Sequence, residues 1–400
     1  MIGLVDCNNF FVSVERVFAP ELRQRPVAVL SSNDGCIIAR SNDIKPFIPM
    51  GAPLFQVQDV VDERGVVLRS SNFALYSDMS ARVMATLRAW SPYVEVYSID
   101  EAFLEVNALM DLQAMKRAVE ADTGIPISIG VGETKTLAKA ANYVAKRSEG
   151  ICNLATMPLS GRDMCLMCVP VGEVWGVGKR LRKKFFAHGI KSAYELASMP
   201  HATYRQYNVT VQRMIDELRG IPAPETGIGP SKSMVSSRSF GEVISSKYLL
   251  AEALSTHAAN LGRKLRRERL FAVEVGVMLS SGKRGVVLSR TVRLPEATAQ
   301  TQELVRSANQ LLDTIYRQGL LYKKAGVWVQ DLRTEQQLRL GRREREQAAA
   351  VDALLDEAAR RWGRNVVQLG SEGVKQPWLP RHELRSPRYT SQWAELPRVL

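Results

Sequence analysis

The chain has 400 residues, 46% hydrophobic and 24% charged, an ordinary globular composition with room for roughly two to four domains that rules out whole-chain disorder. Lysine and arginine number 54 against 41 aspartates and glutamates, and the net charge of +13 favours a polyanionic partner, nucleic acid before an anionic membrane surface. No uninterrupted apolar stretch is long enough to cross a bilayer, and the opening Met1-Ile-Gly-Leu-Val-Asp6 meets an acid at once, unlike a secretion signal.

In chain order, Ile2 to Val5 is a short apolar run ending in Asp6 and reads as a buried strand. Asn8 or Asn9 is placed to cap the next helix, whose apolar positions Phe11, Val14, Val17 and Phe18 recur at helical spacing. From Pro26 to Gly65 short apolar runs alternate with Gly and Pro, the texture of a small, loop-rich insertion. A helix follows through Tyr76, Met79, Val83 and Leu87. Tyr93 to Val106 then reads as two strands with Asp100 and Glu101 at the tip between them. A helix from Leu112 to Ala121, a strand from Ile125 to Val131 and a helix from Lys135 to Lys146 complete a mixed α+β layer.

The texture changes at Pro170 to small helices and turns that run to Gly220. A linker rich in Pro, Gly and Ser, Pro222 to Ser233, marks a domain boundary. Beyond it, Ser237 to Leu332 spells β-α-β-β-α-β, with a short strand at Phe240 and helices at Leu249–Arg267 and Thr301–Tyr316, the split βαβ order. A last helix carries Val351, Leu354, Leu355, Ala358 and Trp362 ahead of a tail rich in Pro and Arg. The cysteines Cys7, Cys36, Cys152, Cys165 and Cys168 are odd in number and scattered, which argues for a reduced, cytosolic chain. Cys165 and Cys168 form one CxxC without a second ligand pair among His188, His201, His257 and His382, so they read as buried apolar cysteines.

The strongest chemical signal is Asp6 taken with Asp100 and Glu101. Adjacent carboxylates in a regular strand point to opposite faces, whereas at a hairpin tip both can turn to one point, beside the end of the Asp6 strand. Three carboxylates meeting there need cations, and hard oxygen donors of this kind suit Mg²⁺. Two such ions ~4 Å apart would clamp the attacking and leaving oxygens of a phosphoryl transfer. Spacing leaves open the alternative that Asp6 caps a helix and Asp100-Glu101 is a solvated turn.

The residues around these acids resemble a known family. Asp6-Cys-Asn-Asn-Phe-Phe-Val-Ser-Val-Glu15 and Ser98-Ile-Asp-Glu-Ala-Phe103 are similar to the two catalytic motifs of Y-family DNA polymerases. Ser32-Asn-Asp-Gly-Cys-Ile-Ile-Ala-Arg40, Tyr76-Ser-Asp-Met-Ser80, Lys135-Thr-Leu-Ala-Lys139, Trp175-Gly-Val-Gly178, Ser237-Arg-Ser-Phe-Gly-Glu242 and Ser386-Pro-Arg-Tyr-Thr390 narrow the resemblance to the UmuC branch and carry it nearly end to end. It implies an α+β right-hand architecture: a ferredoxin-like palm over 1–165 with small fingers inserted at about 20–80, a helical thumb with a helix-hairpin-helix over 166–221, a linker over 222–236, a little finger over 237–335 and a C-terminal tail for partner contacts over 336–400.

The resemblance also implies roles. Asp6, Asp100 and Glu101 match the metal-binding carboxylates, with the Cys7 backbone carbonyl as a further ligand of a Mg²⁺ pair. Phe11 matches the aromatic gate under the incoming sugar, where tyrosine is common; the ring stays and the hydroxyl is gone. Phe10 lies beside it in the nucleotide site. Lys45, Arg40 and Lys146 are placed to hold the triphosphate, a task for which point charges suffice, although Asn42-Asp-Ile-Lys-Pro-Phe-Ile-Pro49 departs from the family's finger pattern.

Two elements look built for the DNA backbone. Gly176, Gly178 and Lys179 form the helix-hairpin-helix turn, whose amides approach phosphates closely. Arg263, Lys264, Arg266 and Arg267 form a basic strip, so binding depends on salt rather than sequence. Gln337-Leu-Arg-Leu-Gly341 occupies the place of a sliding-clamp motif but lacks its aromatic anchor. Gly130-Val-Gly-Glu-Thr-Lys-Thr136 fails the phosphate-loop pattern, because Thr134 stands where Gly must precede Lys-Thr. The function implied is error-prone translesion synthesis in the SOS response, adding dNTPs to a primer on template DNA, with a processed UmuD-like dimer, RecA and the clamp as partners, in the bacterial cytoplasm at the nucleoid. The rivals are a two-metal nuclease and a non-catalytic DNA-binding subunit of the same fold.

Overall fold

β1 (Ile2–Cys7) is apolar almost to its end and buried from Gly3 onward, which makes it a central strand rather than an edge. The structure, a computed structural model, describes residues 1–224, 231–282, 285–338, 346–363 and 366–396. It divides into a first unit, Met1–Thr226 together with Glu383–Leu400, and a second, Gly227–His382.

After β1 the first unit carries α1 (Phe10–Phe18), β2 (Val27–Leu30), β3 (Ile37–Arg40), α2 (Leu54–Glu63), β4 (Val67–Ser70) and α3 (Phe73–Trp90). There follow β5 (Val94–Val96), β6 (Glu101–Glu105), α4 (Leu112–Thr123), β7 (Ile127–Gly132), α5 (Lys135–Ala145) and β8 (Ile151–Asn153). Five helices end the run: α6 (Leu159–Met167), α7 (Lys179–Ala187), α8 (Ala193–Ala197), α9 (His201–Tyr204) and α10 (Val209–Leu218). The main sheet is ordered β5-β6-β1-β7-β8, and β1 runs antiparallel to both neighbours.

The loop-rich insertion expected after Pro26 has a sheet of its own, ordered β3-β2-β4, with Ala28, Leu30, Ile37, Ile48, Val57 and Val61 in its core. Strands of four residues among Gly and Pro are too short to show a clear alternating pattern in a sequence, and β4 joins β2 only across the intervening α2. Glycine sets how closely α5 lies on β7. A Cβ at Gly130 would stand 2.2 Å from the Asn142 amide nitrogen and 2.3 Å from the Ala138 carbonyl oxygen. Asn142 uses that closeness, its Nδ2 donating to the Ser128 carbonyl at 2.9 Å. At the other end of α5, the Thr134 hydroxyl donates to the Glu217 carbonyl of α10 at 2.8 Å, and the Thr136 amide donates to the Glu217 carboxylate at 3.0 Å.

The second unit runs β9 (Ser233–Ile244), α11 (Lys247–Arg267), β10 (Leu270–Ser280), β11 (Val287–Thr298), α12 (Thr301–Ile315), β12 (Tyr322–Thr334) and α13 (Glu346–Trp362). Its sheet is ordered β11-β10-β12-β9, with α11 and α12 on one face over a core that includes Phe240, Leu254, Val275, Val277, Leu312 and Val327. β9 is much longer than the short strand expected at Phe240, because its exposed, serine-rich register carries little apolar signal. The expected tail is divided. α13 and the buried Trp378 belong to the second unit, while the chain from Glu383 onward belongs to the first.

All five cysteines are free, but Cys168 is exposed and Cys165 half-buried; Cys7 and Cys152 are the buried ones. The expectation that the CxxC pair is buried is therefore corrected, since α6 places Cys168 at its exposed C-terminal end.

Candidate active site

Antiparallel pairing of β1 with β6 sets Asp6 directly opposite Glu101, so both carboxyls leave the sheet on the same face. Asp100 would point the other way in a regular strand, but the chain bends just before β6. The Ser98 hydroxyl accepts from the amides of Asp100 and Glu101 at 3.2 and 3.0 Å and donates to Asp100 Oδ1 at 2.6 Å. The Cys7 amide donates to the Asp100 carbonyl at 2.8 Å, which ties the bend to the end of β1. Ser98 is thus the organiser of the tip. A serine two residues before an acid at a turn is its only local signal.

Burial pushes the pKa of the Cys7 thiol up, and the charges of Asp6, Asp100 and Glu101 add to that, with Lys146 opposing. The Asp6 carboxyl, 7% exposed, is pushed up to about 7, first by burial, against the opposing pull of Lys146 and with Glu101 adding to the rise. Lys146 Nζ donates to Asp6 Oδ2 at 2.6 Å, and Lys139 Nζ donates to both Glu101 oxygens at 3.0 and 3.1 Å. Lys146, expected on the triphosphate, is therefore bound to the Asp6 carboxylate. Among the described residues no cluster of three or more His, Cys, Asp or Glu side chains has closed into a metal cage. The donor set nevertheless fits a hard divalent cation: carboxylate oxygens at adjacent strand ends, one buried, with ammonium groups on Asp6 and Glu101 and a hydroxyl on Asp100.

Lys139 went unnoticed as a functional residue in the sequence. Its ammonium lies 4.5 Å from the Tyr97 ring centroid, 5.5 Å from that of Trp175 and 5.8 Å from that of Phe103. The Trp175 indole donates to the Tyr97 hydroxyl at 3.2 Å, closing the cage. The signal available was the i, i+4 spacing of Lys135 and Lys139, which puts both on one face of α5.

On the other side of the acids, α1 begins at Phe10. Asn9 takes the N-cap position in a left-handed conformation, but no side chain caps the helix. The Asn9 amide donates to Asn42 and Asn8 accepts from Ser128, so the capping expected of either side chain does not occur. Phe10 is buried in the core, leaving only its backbone for a nucleotide. Phe11 is half-buried; its ring stacks on Tyr76 at 4.6 Å between centroids and meets Phe73 edge-on at 5.8 Å. The Lys45 ammonium is pushed down from the lysine range by partial desolvation, then by the charges of Arg40, Lys146 and Arg147, with Asp6 opposing. Lys45 thus feels Arg40, two cations that follow α5 and the Asp6 carboxyl together. Arg40 Nε is buried with no hydrogen-bond partner among the described residues.

The backbone-binding elements fare unequally. Gly176 sits at φ +91° and Gly178 caps α7 without a side-chain bond, leaving Lys179 at the first turn. Exposed Lys179, Arg180, Arg182, Lys183 and Lys184 make α7 a stronger basic strip than the single Lys179 named from sequence. In the second unit Lys264 and Arg267 are exposed, but Arg266 leaves the strip. It is bound to Asp356 at 2.7 and 2.8 Å, to Asp352 at 3.2 Å and to the Ala299 carbonyl at 2.8 Å. Arg263 is half-buried and donates to Asn260 at 2.6 Å. The sheet face away from α11 and α12 carries Arg293, Thr291, Lys324, Ser237 and Ser239 in register, with Gly276 and Gly326 between them.

Comparison with known proteins finds matches along the whole chain. Residues 5–143 match the impB/mucB/samB family, residues 231–341 its C-terminal domain, and residues 349–399 a domain of unknown function. The chain is 36% identical to "Protein UmuC" of Salmonella typhimurium over the whole of both chains, and 35% identical to "Protein SamB" of the same organism over 99% of each. A "DNA polymerase IV" of Moorella thermoacetica is 27% identical over 92% of this chain and 94% of its own. Among solved structures, a Y-family DNA polymerase chimera aligns over 84% of this chain and all of its own with a TM-score of 0.66 at 16% identity, a likeness of fold. The sheets, the acids at the ends of β1 and β6 and this likeness define the Y-family polymerase architecture. Within that class, the chain belongs to the impB/mucB/samB family, the UmuC branch.

Proposed function

We propose that this chain is a DNA-directed DNA polymerase of translesion synthesis that extends a primer 3′-hydroxyl with dNTPs, using Asp6, Asp100 and Glu101 as the catalytic carboxylates. The cross-strand placement of Asp6 opposite Glu101, with the adjoining bend at Asp100 tied to the end of β1, supports the reading. These residues and the Cys7 backbone carbonyl would hold divalent cations, a pair of Mg²⁺ ions, which supply charge neutralisation and polarise the attacking hydroxyl when bound. The chain itself prepares the rest. Lys146 and Lys139 offset the charges of Asp6 and Glu101, the uncapped amides of α1 and the cations Lys45, Arg40, Lys146 and Arg147 receive the triphosphate, and the Phe11 ring excludes a 2′-hydroxyl by bulk.

Palm and fingers belong to the main and small sheets, the thumb to α6 through α10, and the little finger to the second unit. DNA is gripped without sequence readout by α7 through Gly176, Gly178 and Lys179, and in the second unit by Lys264, Arg267 and the glycine- and serine-lined sheet face. A processed UmuD-like dimer and RecA are the proposed partners in the SOS response, in the cytoplasm at the nucleoid. The clamp motif Gln337–Leu340 runs outside the described residues after Leu338, where Gln337 still accepts from the Thr334 amide at 2.9 Å.

The test is primer extension on undamaged and lesion-bearing templates with Mg²⁺. Wild type elongates the primer, and Asp100→Ala lowers the rate by at least about 1000-fold, the scale of losing a group on which the transition state depends. Shortening of the primer instead would make the chain a nuclease. Unchanged damage-induced mutagenesis in an Asp100→Ala strain would make it a non-catalytic subunit.

A further inference from the structure

The segment after His382 returns to the first unit as a strap across the two helices that form the gate. Leu384 and Ser70 exchange backbone and side-chain bonds, the Ser70 amide donating to the Leu384 carbonyl at 3.1 Å and the Leu384 amide to the Ser70 hydroxyl at 2.9 Å. Arg385 pairs with Ser70 at the edge of β4. Asn72, which caps α3, also donates through Nδ2 to the Ser386 and Pro387 carbonyls at 3.0 and 3.1 Å and to the Ser386 hydroxyl at 3.1 Å. Tyr389 stacks on Phe18 of α1 at 5.0 Å, the planes 8° apart.

The decisive contact is below the gate. Glu15, on α1 one turn beyond Phe11, is 1% exposed, and Tyr76 of α3 is wholly buried. The Tyr76 hydroxyl donates to Glu15 Oε1 at 2.7 Å, and the Ser386 hydroxyl donates to that same oxygen at 3.0 Å. Arg69, 3.9 Å from the other oxygen, is the only cation in ion-pair range among the described residues. Phe11 lies flat on the Tyr76 ring. The line Ser386–Glu15–Tyr76–Phe11 is therefore continuous, each link a hydrogen bond or a stacked ring, and its first member comes from the stretch that matches a domain of unknown function.

We propose that the C-terminal strap, through Ser386, is a positioning element for sugar selection: it fixes Glu15 and the α3 cap, and so the ring against which the Phe11 gate rests. Ser386 does not touch the nucleotide. Its effect is on how far Phe11 yields when a 2′-hydroxyl presses on it, because an unsupported Tyr76 gives the gate room to move. The inference rests on the reading of Phe11 as the gate.

The test measures the ratio of kcat/KM for a dNTP to that for the matching rNTP, in the full chain, for wild type, Phe11→Ala, Ser386→Ala and Ser386→Thr. The ratio is taken on the same active molecules, so a loss of folded protein does not move it. Phe11→Ala is expected to lower it by about 100-fold or more, the scale of losing a steric clash. Ser386→Ala removes one oxygen, leaves Glu15 with a donor fewer, and is expected to lower the ratio by about three- to tenfold, a fraction of one charge-assisted hydrogen bond. Ser386→Thr keeps the hydroxyl and should restore the ratio to within twofold of wild type, about the resolution of such a comparison. If Phe11→Ala leaves the ratio unchanged, the gate reading falls and the strap's role with it. If Phe11→Ala collapses the ratio while Ser386→Ala keeps it within about twofold, the gate stands and the strap is overturned.

Discussion

Both units bury charge, but they close it differently. In the second, Arg266 bonds Asp352 and Asp356 together, and Asp352 also accepts from the Thr301 amide at 3.1 Å, so the carboxylates joining α11, α12 and α13 are held by donors of the protein itself. In the first, Asp6 and Glu101 face each other with one lysine apiece, and Asp6 is held near neutral titration at about 7. A closed network holds elements together and has nothing left to offer a ligand. An open one costs stability and persists where chemistry needs it. The contrast separates scaffold from site without reference to any motif.

The sharpest way to break that comparison is Arg266→Ala. If Arg266 is scaffold, its loss leaves Asp352 buried without its cation, and exchange protection in β10 and β12 should fall by about 3 kcal/mol, at the lower end for breaking a mostly buried pair. The salt dependence of DNA binding should stay as it was. A phosphate contact would show instead as a salt slope reduced by about one with protection intact.

His257 makes a second test on the same unit. It is 2% exposed, its Nδ1 is 3.0 Å from the Ser236 hydroxyl, and burial, then Arg238 and Lys324, push its pKa down to about 4. The folded ring stays neutral where the unfolded ring takes a proton, so its contribution is whole above pH 6.5 and is lost as pH falls towards 4. Between pH 6.5 and 5 the second unit should lose about 2 kcal/mol at most from this group, and His257→Gln should flatten that slope in urea titrations at each pH. An unchanged slope would mean that other groups dominate the acid limb.

How much of this was legible in advance depends on the range of the interaction. The acids, the strand that carries Asp6 and the β-α-β-β-α-β order were readable because each is written in a few neighbouring residues. The partners were not. Nothing near Lys146 announces Asp6, and nothing near Ser386 announces Glu15, since each pair is joined only by the folded backbone. Arg266 misled for the complementary reason: a basic run looks like surface until α13, far along the chain, supplies the carboxylates. The small sheet was lost among Gly and Pro because its strands are only four residues long and β4 reaches β2 across the intervening helix. Where local pattern and long-range contact disagreed, contact decided.

Lys139 tests the open side of the comparison with the smallest effect. Its ammonium is caged by Tyr97, Phe103 and Trp175 and bonds both oxygens of Glu101, so it stands where a divalent cation must compete for the same carboxylate. Lys139→Met keeps the length of the side chain and its packing among the rings while removing the charge. The field at Glu101 then becomes more negative, and the Mg²⁺ concentration that half-saturates primer extension should fall by about three- to tenfold, the effect of one partly screened charge a few ångströms away. Extension at saturating Mg²⁺ reports separately on any role in the chemical step. A half-saturating concentration that rises in the variant would show that Lys139 orients Glu101 for the cation rather than competing with it, and would place this lysine with the closed networks of the scaffold.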